Sequence, residues 1–236
     1  MRPGLAVAIV VGLALGAAAV TAQILVPRVA EAYLARAVAG LVPEHEGVTV
    51  EVEGVSALSL LQGRLERVRL EVARPRVQGV AFAWLALRGE GVRLDVGELR
   101  ERRLAIRDAD NLVVEAAWTG EQLTAYVRSQ LPDVTDVTVE LLPSAVRVRG
   151  GVRVLGRSVQ ASAVGTVEPA GTTGFRFVPD AIEVEGVTLP EPLVFAAGAL
   201  LAWHLDLSPL PFAVRIESID VADGYVVAKG AWVPEG

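Results

Sequence analysis

The sequence predicts a mainly β, α+β protein: a long antiparallel sheet that curls around a helix, preceded by one N-terminal membrane helix. Three observations carry this reading. Apolar and polar residues alternate with period two through most of the chain after Gly47. Only three segments of the body read as helix. The first 27 residues include an apolar run long enough to cross a bilayer.

That run comes first. No residue from Pro3 to Pro27 is charged, and 18 of the 22 residues from Leu5 to Val26 are apolar, where a bilayer takes about 20. Arg2 and the terminal amine precede it, as in a signal peptide or a signal anchor. Val20-Thr21-Ala22 is a small-residue site that permits cleavage, whereas Ile24-Leu25-Val26 extends the run and favours retention. A buried core helix is the third reading. The expected organisation is residues 1–27 as signal anchor or signal peptide and 28–236 as a single domain, since no Pro- or Ser-rich linker interrupts the body. The body is expected outside the cytoplasmic membrane, on a single-pass tether, or secreted or periplasmic if the signal is cleaved.

The first helix of the body is expected over 28–42, where Val29, Ala32, Tyr33, Arg36, Ala37 and Leu41 recur at helical spacing before Pro43. Strands follow. Val48, Val50 and Val52 alternate with Thr49, Glu51 and Glu53, and Val68, Leu70 and Val72 with Arg67, Arg69 and Glu71. The pattern recurs at Val92-Leu94-Val96, Val137-Val139-Leu141, Val146-Val148, Val152-Val154, Ile182-Val184 and Val214-Ile216, giving strands with one dry and one wet face. Gly150-Gly151 and Asp223-Gly224 sit where two-residue hairpin loops are expected. A slip of phase between Ile216 and Ile219 predicts a bulge. The pentapeptide Glu-Val-Glu-Gly-Val ends a strand at 51–55 and again at 183–187.

A second helix is marked by a capping box, Thr119 and Gln122, ahead of the stripe Leu123, Tyr126, Val127 and Leu131, and ends before Pro132. A third is expected across Pro192–Leu205, 14 residues without a charge. It is too short to span a bilayer and apolar all round, so it belongs in a buried place or in lipid. The stretch Val80–Leu87 is the strand counterpart, apolar on both faces. About ten one-sided strands with three helices to cover them leave two solutions. The sheet closes on itself as a sandwich or barrel, or it curls around a helix and leaves an apolar groove; the chargeless helix favours the second.

Composition excludes several chemistries. With no cysteine there is no disulfide, thiolate metal site or thiol nucleophile. A net charge of −6 argues against nucleic acid. His45 lies between Glu44 and Glu46 on an extended chain, where neighbours face opposite ways and chelate poorly. His204 is expected to end the third helix and bond its terminal carbonyls; a hydrolase would need it to face an acid in a cleft. Asp108-Ala-Asp110-Asn111 starts like a calcium loop, but Leu112 and Val113 replace a ligand and the glycine. No nucleophile elbow, zinc-protease motif or phosphate loop is present. The expectation is no catalytic residue, no metal and no cofactor.

Charge is segregated. From Arg64 to Arg107 there are 11 arginines against 6 acids, while the rest of the chain holds 11 bases against 22 acids. Two readings stand side by side: an arginine rim for an anionic headgroup, at Arg100, Arg102, Arg103 and Arg107, or wet-face arginines paired with acids on neighbouring strands.

In their order these pieces resemble the LmeA-like phospholipid-binding proteins of bacterial envelopes. The resemblance is carried by the N-terminal segment and helix, Leu60-Leu-Gln-Gly-Arg-Leu-Glu-Arg-Val-Arg-Leu-Glu-Val72, a Gly91–Leu99 strand, the capped helix with Leu123-Thr-Ala-Tyr-Val-Arg-Ser-Gln-Leu-Pro132, Val146–Gly156 and the closing Leu210–Gly230. It covers nearly all of 28–233. It implies a strongly curved antiparallel sheet wrapped around a helix, akin to tubular lipid-binding folds, and no catalytic residues.

The function expected on this footing is a membrane-tethered, extracytoplasmic phospholipid binder holding acyl chains in an apolar groove, for lipid handling or envelope glycolipid assembly. The residues expected to line the groove are Val80, Phe82, Trp84, Leu85, Leu87, Leu123, Tyr126, Val127, Leu193, Phe195, Leu200 and Trp203. The partners expected are a phospholipid or related envelope lipid and the membrane, with an envelope protein as a further possibility. The alternative is a scaffolding domain whose own helix fills the groove and which binds a protein.

Overall fold

The computed structural model describes residues 28–42, 44–54, 56–100, 105–154, 157–190, 194, 203–208, 210 and 213–234. The predicted membrane helix at 1–27 lies outside them, and among the described residues no helix is long and apolar enough to cross a membrane. The protein is mainly β, built of long antiparallel sheets with few helices, and one sheet curves strongly as a half-barrel. The chain divides into two compact units. One gathers the described residues of Met1–Leu41, Val48–Leu70 and Arg88–Leu112; the other gathers those of Val42–Gly47, Glu71–Leu87 and Val113–Gly236.

In the first unit, helix α1 (28–41) buries Ala30, Leu34, Ala37 and Val38. This is not the expected stripe, for Val29 and Tyr33 face outward. An alanine-rich helix offers two overlapping stripes of period 3.6, and packing selects the one with Leu34. The Glu31 carboxylate ties α1 to strand β1 (Gly47–Glu53) by accepting the Val52 N–H at 3.3 Å. β1 continues through helix α2 (Ala57–Leu61) to β2 (Arg64–Ala73). α2 is a turn of helix that alternation concealed. Ser56 and Ser59 form its capping box, each side chain accepting the other's backbone N–H. On the wet face, Arg67 donates to Glu53 at 2.8 Å and Arg69 to Glu51 at 3.4 Å.

The strand expected over Gly91–Leu99 ends early. β5 (Trp84–Leu94) stops at Leu94, and Val96–Arg100 form helix α3. Asp95 is the reason: its carboxylate accepts the Gly97 N–H at 2.8 Å and the Glu98 N–H at 3.2 Å, which caps a helix rather than extending a ladder. β6 (Ile106–Asp108) then pairs with β5.

The second unit opens with β3 (Arg76–Val77) and β4 (Val80–Ala81), a hairpin whose Gln78-Gly79 loop has φ of +48° and +86°. Val80–Leu87 is therefore not one strand. The chain breaks at Phe82–Ala83, where Phe82 N–H turns back to the Pro75 carbonyl at 2.9 Å and Ala83 N–H reaches Ala117 at 2.8 Å. Next come β7 (Asn111–Thr119), helix α4 (Gly120–Gln130), β8 (Thr135–Leu142), β9 (Ala145–Val154), β10 (Arg157–Ala170), β11 (Gly174–Val184), β12 (Val187–Thr188), β13 (His204–Asp206), β14 (Val214–Ala222) and β15 (Tyr225–Trp232).

These strands make two main sheets, not one meander. β8 to β12 form a meander in chain order, with β13 added to β11. In the other sheet, β15 lies between β7 and β14. Asp223-Gly224 makes the expected hairpin loop, with φ of +54° and +81°, and the expected bulge falls between Ile216 and Ser218. The Glu-Val-Glu-Gly-Val repeats each close a strand, β1 and β11.

Gly150-Gly151 is not a turn. Both residues lie inside β9, Gly150 opposite Ala161 and Gly151 opposite Gln160, and the turn before β9 is Pro143-Ser144. The expected helix at 192–205 falls largely outside the described residues; its end, from His204, is strand β13. Burial alternates along it, Trp203, Leu205 and Leu207 inward and His204, Asp206 and Ser208 outward. His204 therefore caps no helix; it pairs with Arg176 on β11.

α4 follows its sequence signals. Thr119 Oγ1 accepts the Gln122 N–H at 3.3 Å and Gln122 Oε1 accepts the Thr119 N–H at 3.0 Å. Thr119→Ala is expected to cost about 1 kcal/mol, read as a lower urea midpoint at unchanged slope.

Candidate functional site

The second unit holds an aromatic cluster. Phe82 follows the β3–β4 hairpin, Trp118 lies near the end of β7, Phe175 and Phe177 lie on β11, and Trp203 leads into β13. Trp118 stands 5.1 Å from Phe82 and 5.2 Å from Phe175 between ring centroids. Trp203 stacks flat on Phe177 at 6.1 Å and meets Phe175 edge-on at 5.9 Å. Offset and edge-on contacts of this kind add to simple area burial. All five rings are buried.

α4 borders the cluster through Tyr126, whose ring lies edge-on to Trp203 at 6.5 Å and whose hydroxyl donates to the His204 carbonyl at 2.7 Å. Burial, and then the negative charge of Asp206, raise the Tyr126 pKa, so the hydroxyl keeps its proton and remains a donor. Leu123 and Val127 on the same helix are fully buried. Thr124 fixes α4 on β8: its Oγ1 donates to the Gly120 carbonyl at 2.7 Å and accepts the Val139 N–H at 2.8 Å.

Among the described residues, the indole Nε1 groups of Trp118 and Trp203 are buried without a hydrogen-bond partner. A buried donor left unmatched costs about 1–3 kcal/mol, and a native interior holds few. Both rings touch Phe175, so the two donors belong to one cluster.

Of the residues expected to line a groove, Phe82, Tyr126 and Trp203 come together here, and Leu123 and Val127 are buried on the helix that carries Tyr126. Leu85 and Leu87 are buried on β5 with Ala86 between them, so both faces of that stretch are covered, as its composition implied. Val80 and Trp84 are half-buried. Leu193, Phe195 and Leu200 lie outside the described residues. Sequence reasoning missed Trp118, Phe175 and Phe177. The signal for the phenylalanines was alternation with Arg176; Trp118 was masked by Glu115, buried on β7 and facing Lys229 across the ladder at 3.8 Å.

The arginine rim is less open than the sequence allowed. Arg107 donates to Asp95 at 2.7 and 2.9 Å, and this hydrogen bond above all holds the Asp95 carboxyl below its usual range. Arg74, Arg76 and Arg93 also pair with acids. Arg100 is the last residue of α3, and Arg102 and Arg103 lie outside the described residues.

No chemical centre accompanies the cluster among the described residues. No group of His, Asp or Glu there could hold a metal ion. His45 Nδ1 sits 2.7 Å from the Val42 carbonyl. His204 and Asp206 share the outward face of β13, where Ser208 donates to Asp206 from Oγ at 2.6 Å and from its N–H at 2.9 Å. Those bonds, with Thr173, hold Asp206 ionised below the usual carboxylate range. A small pocket of about 10 Å³ beside the end of α4, lined by Leu131, Val134, Val148 and Ala163, has room for about one water, not for a chain of methylenes.

The profile of the LmeA-like phospholipid-binding family matches residues 21–231, nearly the whole chain. The chain belongs to the LmeA-like phospholipid-binding family. The family's description is of lipid binding, a non-catalytic role. No curated protein and no solved structure matches the chain. Membership covers both compact units, since the match runs from before α1 to the penultimate residue of β15.

Proposed function

We propose that this chain is a membrane-tethered phospholipid binder on the extracytoplasmic side, holding acyl chains in an apolar interior wrapped by its sheet, in lipid handling or envelope glycolipid assembly. Membership of the LmeA-like family carries the reading. Three further observations support it: the uncharged run from Pro3 to Pro27, the aromatic cluster around Phe175, and its two unmatched indole donors. Each acyl methylene buried contributes about 0.8 kcal/mol, so affinity needs no strong polar contact. The lining residues are those from the sequence, Phe82, Leu123, Tyr126, Val127 and Trp203 foremost, with Trp118 and Phe175 added.

The second reading, a scaffold with a filled interior, draws on the tight closure of the cluster, where Trp118 and Phe175 are fully buried. One experiment separates the two. Residues 28–236 are expressed without the leading segment, purified without detergent, extracted with organic solvent and analysed by mass. Stoichiometric phospholipid is the expected result. Lipid-free protein that also takes up no fluorescent phospholipid overturns the proposal and leaves the scaffold.

A further inference from the structure

Among the described residues, Leu61 is the most exposed large apolar side chain at 73%, and Leu58 is 66% exposed. Both lie on α2, three residues apart and so on one face of the helix. A single helical turn is marginal in water, yet this one is held in place. Its capping box closes the N-terminal end, and just past its C-terminal end Gly63 is held against the end of β5. There the Gly63 carbonyl accepts the Leu94 N–H at 2.8 Å, and a Cβ on Gly63 would press on the Val96 side chain at 2.9 Å. The fold thus fixes a turn of helix whose largest side chains meet water.

The charge beside it is equally unusual. Arg67, Arg69, Arg93 and Arg107 of the same unit each pair with a carboxylate. Arg64, three residues beyond Leu61 and exposed, has no such partner among the described residues. Two exposed leucines on one helix face with an uncommitted guanidinium three residues further on match the boundary of an anionic bilayer, where side chains enter the acyl region and a cation meets phosphate.

We propose that the α2 turn, Leu58 and Leu61 together with Arg64, is the surface by which this protein docks on a bilayer containing anionic phospholipid. The proposal rests on the phospholipid-binding reading and adds the place of contact. A protein partner would cover the leucines as well, but the free guanidinium of Arg64 favours an anionic lipid surface.

The test uses the absence of cysteine from the sequence. Leu58→Cys and Leu61→Cys, and Val187→Cys as a control on an exposed apolar residue of the other unit, each give the full-length chain one site for an environment-sensitive fluorophore. The chains are reconstituted in vesicles of phosphatidylglycerol and phosphatidylcholine in which every bilayer carries a doxyl-labelled quencher lipid. Labels at 58 and 61 are expected to shift to the blue and to be quenched, and the label at 187 to do neither. The effect is expected to weaken in vesicles of phosphatidylcholine alone and with Arg64→Glu. Labels at 58 and 61 that behave like 187 overturn the proposal. So does a blue shift without quenching, which means that protein covers the face. Phospholipid extracted from a Leu58→Ser, Leu61→Ser double variant of residues 28–236 is measured alongside. Stoichiometric lipid there keeps the binding reading independent of the docking result.

Discussion

Replacing Trp118 by alanine is expected to lower the stability of the protein by about 3–5 kcal/mol, the range for deleting a large buried aromatic. The ring is fully buried between Phe82 and Phe175, so its loss opens a cavity against β11 and the segment that follows the β3–β4 hairpin. Trp118→Phe is expected to cost much less. Phenylalanine keeps much of the ring contact and removes an N–H that has no partner among the described residues, so part of the lost packing is offset by a relieved desolvation penalty. Urea unfolding of the two variants checks this. A midpoint shift of similar size for both would mean that the indole N–H is matched in solution. A negligible shift for alanine would mean that the cluster does not pack as described.

Gly165→Ala is expected to be the most damaging small substitution in the second sheet. A methyl group there would run into the Val178 carbonyl oxygen and stand 2.6 Å from Pro179 Cα. Both obstacles are backbone, so no side chain can swing aside. The position sits where the β10–β11 register slips, between Val164 and Gly165; the missing side chain lets the two backbones approach. A loss of at least about 2–3 kcal/mol is expected, toward or beyond the upper end for overpacking. Gly47→Ala is the control, since a Cβ there meets nothing within 4 Å. Hydrogen exchange is expected to show faster opening of β10 and β11 in the first variant and not in the second.

Much of this fold was legible in the residues, and the failures have physical causes. The capped helix announced itself because Thr119 and Gln122 satisfy N–H groups that any helix start leaves open. Asp223-Gly224 was legible because its flanks agree in phase: Val221 pairs with Val226 and Ala222 with Tyr225. Gly150-Gly151 looked equally permissive but fails that same test. A hairpin there would set Arg149 opposite Val152 and Arg147 opposite Val154 on one face, whereas valines at 146, 148, 152 and 154 keep one unbroken phase through the glycines. The phase was the better evidence. Trp203-His-Leu-Asp-Leu-Ser208 likewise alternates cleanly, but the chargeless stretch before it drew 203–205 into a helix. The site was only half legible. Phe82, Leu123, Tyr126, Val127 and Trp203 stood out as large apolar residues in apolar runs, while Phe175 and Trp118 join them through strand pairing and sheet packing that no local pattern encodes.

Strand β11 fixes the chain on both sides of the 190–202 stretch. Leu189 N–H donates to the Ile182 carbonyl at 2.8 Å, and Phe177 N–H donates to the Trp203 carbonyl at 3.1 Å. Five residues of strand separate those anchor points, about 17 Å at the rise of a β-strand. Both anchors lie on one strand, and doubling the length of a flexible connection between fixed anchors costs only about 0.6 kcal/mol of closure entropy. A change of length between Leu189 and Trp203 therefore costs little so long as those two bonds to β11 hold, and the register of the strand is left as it is.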